Sequence, residues 1–362
     1  MAADLAPRVL AVRLDSVGDV LLTGPALRAV AAGSRRLDLL VSPGGAEAAR
    51  LLPGLDDVIV FDAPWTGHPP PAVSPERLDD LLGFLRTRAY DHVIVFTSFH
   101  QSALPMAMLA RWAGVGRVSA YSEDYPGSLV DLRLHRMADG LPDTGEGGCH
   151  EAQAALFLAL AAGFPVPEGD DHRLRIRPVP CPSLPVAGPY VVVHPHASVP
   201  SRSMAEAQTG PVVSALLRAG WDVVVTGSPG EPPVPDLPAD PGLVDLLGGT
   251  SLVELAGVLA SAACVVVGNT GPAHLAAAVG TPIVSLFSPV VPVERWGPWG
   301  VPHIVLGDQD AQCRGSRAQE CPTPGHPCVG EVPSEAVVAA VELLVGHPAA
   351  GAPTVVEHGA AR

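Results

Sequence analysis

The sequence predicts an α/β protein with two parallel-sheet domains, and three observations support this. Short runs rich in valine, isoleucine and leucine alternate with segments of helical period along the 362-residue chain. These runs do not alternate polar with apolar residues, which is typical of strands covered on both faces. A proline-rich stretch over 178–185 separates two such series. We therefore expect domains over 1–178 and 186–346, followed by a flexible tail over 347–362.

The first half contains four predicted buried strands: VLAVR (9–13), LDLLV (37–41), DVIVF (57–61) and HVIVF (92–96). Helices are predicted near 19–32, 44–52, 75–88, 101–113 and 150–162. The helix from 75 has the clearest start signal, because Ser74 can cap it and Pro75 suits the first helical position.

The second half repeats this plan with five predicted strands: YVVVH (190–194), DVVVT (222–226), CVVVG (264–268), PIVSLF (282–287) and HIVL (303–306). Helices are expected between these strands, and a last helix is expected near 333–345. The carboxyl ends of parallel strands share one edge of a sheet, so the loops after them should converge there.

Charge excludes several classes of function. All 22 basic residues are arginine, and 37 acidic residues bring the net charge to −15. This balance argues against nucleic-acid binding, which requires clustered basic residues. The lack of lysine excludes Schiff-base chemistry and a Walker-type lysine. A phosphorylated ligand would need arginine, backbone amides or helix N-termini.

No apolar run approaches the ~18 residues of a transmembrane helix. Arg13 and Asp15 interrupt the first apolar segment, which argues against a signal peptide. We therefore expect a cytoplasmic protein with six reduced cysteines, without a transmembrane segment. Peripheral contact with a membrane is compatible with this expectation.

The loop Arg13–Asp19 follows the first strand and opens a helix. Its sequence is not the GxGxxG fingerprint of dinucleotide-binding proteins. Asp19 can be interpreted as a helix N-cap or as a carboxylate available for general-base catalysis. The residues alone leave both interpretations open.

The segment 268–274 follows a strand in the second half. Asn269 or Thr270 can cap the next helix, and free amides at its start suit a diphosphate, to which His274 could donate. The alternative is a capped helix with a core histidine. Two weaker candidate loops are HPHASVPSR (194–202) and TGSPGE (226–231).

These four loops, together with Glu294-Arg295-Trp296-Gly297-Pro298, resemble in order the motifs of glycosyltransferase family 9, the heptosyltransferase family of the GT-B fold. The GNTGPAHL block is the most specific of them. The resemblance implies two Rossmann-like domains facing a central cleft, with the acceptor on the first and the nucleotide sugar on the second.

The resemblance also implies inverting, metal-independent transfer of a sugar, typically a heptose, from a nucleoside diphosphate such as ADP-heptose to an acceptor hydroxyl. Asp19 would be the base and Glu231 would bind the ribose. The other implied residues are an acceptor loop (Arg13, Ser16, Gly18) and a donor diphosphate site (Ser198, Arg202, Asn269, Thr270, Gly271, His274). No cofactor is implied. The acceptor stays open between a glycan, a lipid-linked compound and a natural product.

Three positions depart from the family pattern. Asn269 replaces a frequent aspartate, His196 replaces a glycine, and Arg202 stands where relatives often have lysine. Arginine still binds phosphate, and does so bidentately. The first two departures leave open a catalytically silent nucleotide-sugar-binding protein. A nucleotide-sugar epimerase of a similar fold is a further alternative, although it does not explain the Arg13–Asp19 loop.

Two other clusters could bind metal. Cys313, Cys321, His326 and Cys328 form a Cys₃His set in one loop, although without a CxxC pair. A structural zinc site and a disulfide are alternatives to the free thiols that we expect. Asp308-Gln309-Asp310 matches the DxD pattern of other glycosyltransferases, and we expect it to be a surface loop.

Overall fold

A computed structural model describes residues 6–67, 69–136 and 148–348. The chain divides into two compact units. The first comprises Met1–Pro178, Ala277–Gly280 and Val291–Gly300. The second comprises Val179–Ala276, Thr281–Val290 and Val301–Arg362. Most of the predicted tail over 347–362 lies outside the described residues.

The first unit is built on a six-stranded parallel sheet of order β3-β2-β1-β4-β5-β6. Its strands are β1 (Arg8–Arg13), β2 (Arg36–Val41), β3 (Asp57–Val60), β4 (His92–Val95), β5 (Arg117–Tyr121) and β6 (Leu132–Leu134). Its helices are α1 (Val17–Leu22), α2 (Gly24–Gly33), α3 (Ala46–Leu51), α4 (Pro75–Arg88), α5 (Leu104–Trp112) and α6 (Glu151–Ala161).

The second unit is built on another six-stranded parallel sheet, of order β12-β11-β10-β7-β8-β9. Its strands are β7 (Tyr190–His194), β8 (Asp222–Gly227), β9 (Leu243–Leu247), β10 (Cys264–Gly268), β11 (Ile283–Leu286) and β12 (His303–Leu306). Six more helices follow α6 in the chain: α7 (Glu206–Arg218), α8 (Leu252–Ser261), α9 (Gly271–Val279), α10 (Val293–Trp296), α11 (Pro327–Gly330) and α12 (Ser334–Val345). Of these, α10 and the end of α9 belong to the first unit, and the others belong to the second.

Both sheets have the same order of strands, so the α/β prediction with two parallel sheets is confirmed. In each sheet the direction in which successive strands are added reverses between the first and the fourth strand of the unit. These strands are β1 and β4 in the first unit, and β7 and β10 in the second. Open α/β sheets bind ligands at the carboxyl ends of such a pair. The loops after these four strands are therefore the first places to look for a site.

Each sheet packs its apolar residues against helices. In the first unit the core includes Leu10 and Val12 of β1 with Leu85 of α4. In the second unit it includes Val266 of β10 with Val337 of α12. Because both faces are covered, the strands are apolar without alternation, as the sequence indicates.

Helix starts follow local chemistry. The Ser74 side chain accepts a hydrogen bond from the amide of Arg77, as expected for the cap of α4. The predicted helix over 19–32 is instead two helices that meet at Thr23, before Pro25. The N-cap of α1 is Ser16, so the interpretation of Asp19 as an N-cap is wrong. Asp19 is the third residue of α1, and its side chain is available for other partners.

Three strands were not predicted: β5, β6 and β9. β6 and β9 are edge strands of three and five residues. Among the described residues, no helix is both long and apolar enough to cross a membrane.

Candidate functional site

Asp19 lies at the carboxyl edge of the first sheet, with its side chain about one-fifth exposed. Arg13 donates to its Oδ1 from Nη2 at 2.8 Å, and Ser16 donates to Oδ2 from Oγ at 3.1 Å. Ser98, in the loop after β4, approaches Oδ1 at 3.4 Å. β1 and β4 therefore bring together residues 79 positions apart in sequence around one carboxylate.

Arg13 is the centre of this arrangement and is only 2 % exposed. Its Nε lies 2.8 Å from Oδ2 of Asp15, and its Nη2 also donates to Oγ of Ser98 at 3.0 Å. Asp15 in turn accepts a hydrogen bond from the Gln101 side chain. The guanidinium fork thus fixes two carboxylates, Asp15 and Asp19, at the end of β1.

A second buried carboxylate, Glu151 at the start of α6, lies beneath this loop. Its Oε1 lies 3.0 Å from Nη1 of Arg136 and 3.6 Å from Nη1 of Arg295. Its Oε2 lies 4.0 Å from Nη2 of Arg13. Three arginines and three carboxylates therefore form one charge-balanced buried network: Arg13, Arg136, Arg295, Asp15, Asp19 and Glu151.

Aromatic rings flank Asp19. Trp296 donates from its indole Nε1 to Oδ1 of Asp19 at 3.4 Å. The ring of Phe99 packs against Trp296 at 5.7 Å between centroids, and the Arg295 guanidinium lies 4.5 Å from the Phe99 centroid. One edge of the carboxylate therefore faces apolar surface, where electrostatic interactions are stronger than in water.

Burial and charge shift the titration of this network. Burial raises the pKa of Asp15 to about 6, although Arg13 opposes the shift. Burial alone would lower the pKa of Arg13, but the carboxylates of Asp15, Asp19 and Glu151 outweigh it and raise that pKa. Arg13 is therefore a permanent cation next to Asp19.

In the second unit, the loops after β7 and β10 are in direct contact. The backbone amide of Asn269 donates to the carbonyl of Arg202 at 3.2 Å. Gly268 allows this approach, because a β-carbon there would lie less than 3.0 Å from the same carbonyl oxygen. The backbone of Arg202 thus lies beside the residues that precede α9.

Three residues at the start of α9 differ in exposure. Asn269 and His274 are buried, at 5 % and 4 % exposed, whereas Thr270 is half-buried. The Asn269 Nδ2 is buried without a hydrogen-bond partner within the described residues. A buried amide donor at a helix N-terminus is suited to an anionic or hydroxylated ligand.

The remaining predicted donor residues are spread over neighbouring loops. Ser198 is exposed after β7. Glu231, after β8, accepts a hydrogen bond from the Ser228 amide at 2.8 Å. One oxygen of its carboxylate is therefore used within the turn 228–231. His194 bonds Thr226 at 2.9 Å, and burial lowers its pKa to about 4. His196 reaches the carbonyl of Pro232 at 3.0 Å, so the loop accommodates it in place of the expected glycine.

The candidate zinc ligands all lie in the second unit. All six cysteines are free thiols. Across 6–67, 69–136 and 148–348, no group of three or more His, Cys, Asp or Glu residues is arranged to hold a metal ion. Cys313, Cys321, His326 and Cys328 are all within these ranges. The DxD-like Asp308 and Asp310 are exposed, as expected.

Residues 81–326 match the profile of glycosyltransferase family 9 (heptosyltransferase). The lipopolysaccharide heptosyltransferase 1 of Pseudomonas aeruginosa is 30% identical over 319 residues, covering 87% of each chain. The chain belongs to glycosyltransferase family 9. The lipopolysaccharide heptosyltransferase 3 of Escherichia coli is 28% identical over 162 residues, so the match spans about half of that protein (47%). The predicted family and enzyme class are confirmed.

Solved structures of family 9 share the fold. The family 9 glycosyltransferase of Veillonella parvula has a TM-score of 0.71 at 18% identity, covering 95% of this chain and 98% of that one. The ADP-heptose heptosyltransferase II of E. coli has a TM-score of 0.70 at 18% identity, covering 93% and 98%. An E. coli heptosyltransferase with ADP-2-deoxy-2-fluoro heptose has a TM-score of 0.65 at 21% identity, covering 93% and 99%. The GT-B prediction is thereby confirmed.

Sequence reasoning gave no role to several residues of this candidate site. They are Asp15, Ser98, Gln101, Arg136, Glu151 and Trp296. Ser98 and Gln101 follow a predicted strand, which was a usable signal. Glu151 stands at the start of an otherwise apolar helix, HEAQAALFLAL, where a buried charge needs partners.

Proposed function

We propose that this chain transfers a heptose from ADP-heptose to an acceptor hydroxyl with inversion at the anomeric carbon, and that Asp19 is the general base. The observation that carries the proposal is the Asp19 carboxylate, partly exposed and fixed by Arg13 and Ser16 at the reversal point of the first sheet. The confirmed family supports the class of reaction.

Asp19 would accept the proton of the acceptor hydroxyl as that oxygen attacks the anomeric carbon. Arg13 and Ser16 hold both carboxylate oxygens, so little reorganisation is needed before proton transfer. Arg13 also places a positive charge 2.8 Å from the Asp19 carboxylate.

The donor would bind to the second unit. Arg202 and the N-terminus of α9 would stabilise the negative charge that develops on the leaving ADP. The Asn269 amide offers another donor, and Glu231 offers its second carboxylate oxygen to the ribose. These groups would offset the charge of the diphosphate in place of a metal ion, so we expect activity to survive EDTA. Six free thiols favour action in the cytoplasm.

Asp19→Asn tests the proposal. Loss of a general base lowers turnover by about 10²–10⁴-fold. ADP affinity should stay within about twofold, because the substitution is in the first unit and removes no donor group. Asp124→Asn is the matched control, since Asp124 is an exposed carboxylate in the loop after β5. Turnover is measured as ADP released from ADP-heptose, and ADP affinity by calorimetry.

Three outcomes would contradict the proposal. Wild-type turnover in Asp19→Asn would remove Asp19 from the role of base. ADP binding without ADP release, across a broad panel of acceptors, would favour the catalytically silent alternative. Retention of the anomeric configuration, determined by NMR of the product, would contradict direct displacement.

A further inference from the structure

The segment 291–300 brings an aromatic hydrogen-bond donor to the proposed base. Trp296, the last residue of α10, is half-buried, and its indole Nε1 donates to Oδ1 of Asp19 at 3.4 Å. This segment belongs to the first unit, although β11 before it and β12 after it belong to the second. The chain therefore passes into the first unit for about ten residues, and this passage places the indole N–H beside the carboxylate.

Both chain neighbours of Trp296 are bound to the start of α6. Before it, the Arg295 guanidinium lies 3.6 Å from Oε1 of Glu151. After it, the carbonyl of Gly297 lies 3.0 Å from Nε2 of His150. Because His150 accepts a backbone amide at Nδ1 as the N-cap of α6, its proton is on Nε2 and is donated to this carbonyl. The backbone at Trp296 is thus fixed from both sides.

The ring of Trp296 and the turn after it are also held. Phe99 packs against the ring at 5.7 Å between centroids, and the Arg295 guanidinium lies 4.5 Å from the centroid of Phe99. The Gly297 amide donates to the carbonyl of Val293 at 2.7 Å, and a β-carbon at Gly297 would lie less than 3.0 Å from that oxygen. The segment therefore presents the indole in one orientation.

The two oxygens of Asp19 differ in their surroundings. Oδ1 accepts from Nη2 of Arg13 at 2.8 Å, from Oγ of Ser98 at 3.4 Å and from Trp296, and these three contacts are partly buried. Oδ2 accepts from Oγ of Ser16 at 3.1 Å, and this contact is exposed. Ser16 is the N-cap of α1, yet its side chain makes no capping hydrogen bond. Oδ2 is therefore the oxygen on the solvent side.

Trp296 differs from the rest of this network because it is uncharged. The charged and titratable groups around Asp19 come from the loop after β1, the residues after β6, the start of α6, and α10: Arg13, Asp15, Arg136, His150, Glu151 and Arg295. Replacing Trp296 with phenylalanine changes none of these charges. It removes one N–H donor and keeps an aromatic ring.

We propose that Trp296 is a positioning residue for the transfer reaction, whose indole N–H holds Oδ1 of Asp19 so that Oδ2 receives the proton of the acceptor hydroxyl. In that step the acceptor O–H bond breaks and its proton passes to Oδ2. The acceptor oxygen displaces ADP, which leaves with the electron pair of the anomeric C–O bond. This role rests on the proposed function, because it requires Asp19 to be the base. The contact itself can be measured without substrates.

NMR tests the contact. The chain has five tryptophans, so an N–H correlation spectrum contains five indole signals. Trp→Phe variants assign them, and any four of these variants assign the fifth signal by elimination. We expect the Trp296 signal to move most of the five in Asp19→Asn, because its acceptor loses the charge that strengthens the hydrogen bond. Asp124→Asn should leave it in place.

Kinetics test the role. Trp296→Phe should lower kcat about tenfold, as expected when a catalytic group is misplaced. The KM for the acceptor and the affinity for ADP should change by less than about twofold. The acid limb of the kcat profile should move up by about 0.5–1 pH unit, because a hydrogen bond to a carboxylate favours its ionised form.

Trp299→Phe is the matched control. Trp299 lies in the same segment, and its indole donates to the carbonyl of His172 at 2.9 Å. The control therefore loses the same kind of donor at a different acceptor, and its kcat and pH profile should match those of the wild type. In an Asp19→Asn background, Trp296→Phe should change kcat by less than about twofold, because no base is left to position.

A Trp296 signal that is unchanged in Asp19→Asn would overturn the proposal. Equal kinetics of Trp296→Phe and Trp299→Phe would also overturn it. A tenfold loss from Trp296→Phe in both backgrounds would show that Trp296 acts by a route other than Asp19. A wild-type chain that releases no ADP would contradict the proposed function, whereas the NMR signals would still decide whether Trp296 holds Asp19.

Discussion

Replacing Gly268 with alanine tests how the second unit assembles its candidate donor site. Gly268 ends β10, pairs with Leu286 of β11, and lies against the Arg202 carbonyl. A methyl group there would lie less than 3.0 Å from that oxygen, a distance that β-carbons essentially never show. Because the neighbour is backbone rather than a flexible side chain, the loop around Arg202 has to move.

The cost can be worked from these contacts. Overpacking of a well-packed site costs about 1–3 kcal/mol. Displacing the Arg202 carbonyl also weakens its hydrogen bond from the Asn269 amide, worth about 0.5–1.5 kcal/mol. We expect Gly268→Ala to lower the free energy of unfolding by about 2–4 kcal/mol. Because the loop around Arg202 would be displaced, we expect ADP affinity to fall about tenfold, which corresponds to about 1.4 kcal/mol.

Gly83→Ala is the matched control. Gly83 is in α4, and a β-carbon there meets no heavy atom within 4 Å. Alanine is the better helix former, so this variant should gain about 0.5–1 kcal/mol and bind ADP like the wild type. Urea unfolding and calorimetry with ADP measure both quantities. Wild-type stability and wild-type ADP affinity in Gly268→Ala would refute the reasoning.

Two further predictions concern the buried charge network. Glu151→Gln should lower the free energy of unfolding by about 3–5 kcal/mol, because it leaves three buried arginines with two carboxylates. The exposed Glu168→Gln should change it by less than ~0.5 kcal/mol, and equal values by urea unfolding would contradict the first expectation. Burial raises the pKa of Asp15 from 3.8 to about 6. The protonated carboxyl group therefore stabilises the folded state fully at pH values below 3.8, and this stabilisation is lost as the pH rises to about 6. The stability advantage of wild type over Asp15→Asn should therefore be larger at pH 4.5 than at pH 7, whereas a pH-independent difference would exclude this titration.

Strands covered on both faces were predictable because their burial requires a continuous run of apolar residues, which can be read from the sequence. YVVVH, CVVVG and HIVL were predicted with the bounds that the structure gives. β9, LVDLL, is a half-buried edge strand with a charged residue in its middle, so its composition resembles a loop. β6 has three residues, and its pairing with β5 is a long-range contact that local pattern does not reveal.

The helix break at Thr23 shows the same limit. The run DVLLTGPALRAV has one continuous apolar period, so it predicts a single helix. Its Gly-Pro pair allows α2 to start anew after Thr23. Only this geometry places Asp19 inside the first turn of a short α1, with Ser16 as the cap.

The candidate site was predictable in part. Asp19, Arg202 and the start of α9 each come within a few residues of the end of a strand, and polar residues there are a recognisable signal. The partners of Asp19 were not predictable, since Ser98 and Trp296 are 79 and 277 positions away from it. Spacing in sequence carries no information about such pairs.

Arginine is suited to position 13 because its side chain contacts three other side chains at once. One side chain contacts Asp15 through Nε and both Asp19 and Ser98 through Nη2, in a site that is almost fully buried. A lysine ammonium is a single point of charge on a flexible stem and does not reproduce this planar fork. The absence of lysine at this position therefore has a structural reason, independent of the composition of the rest of the chain. The guanidinium therefore fixes the position of Asp19, the proposed base, through contacts that one ammonium could not make.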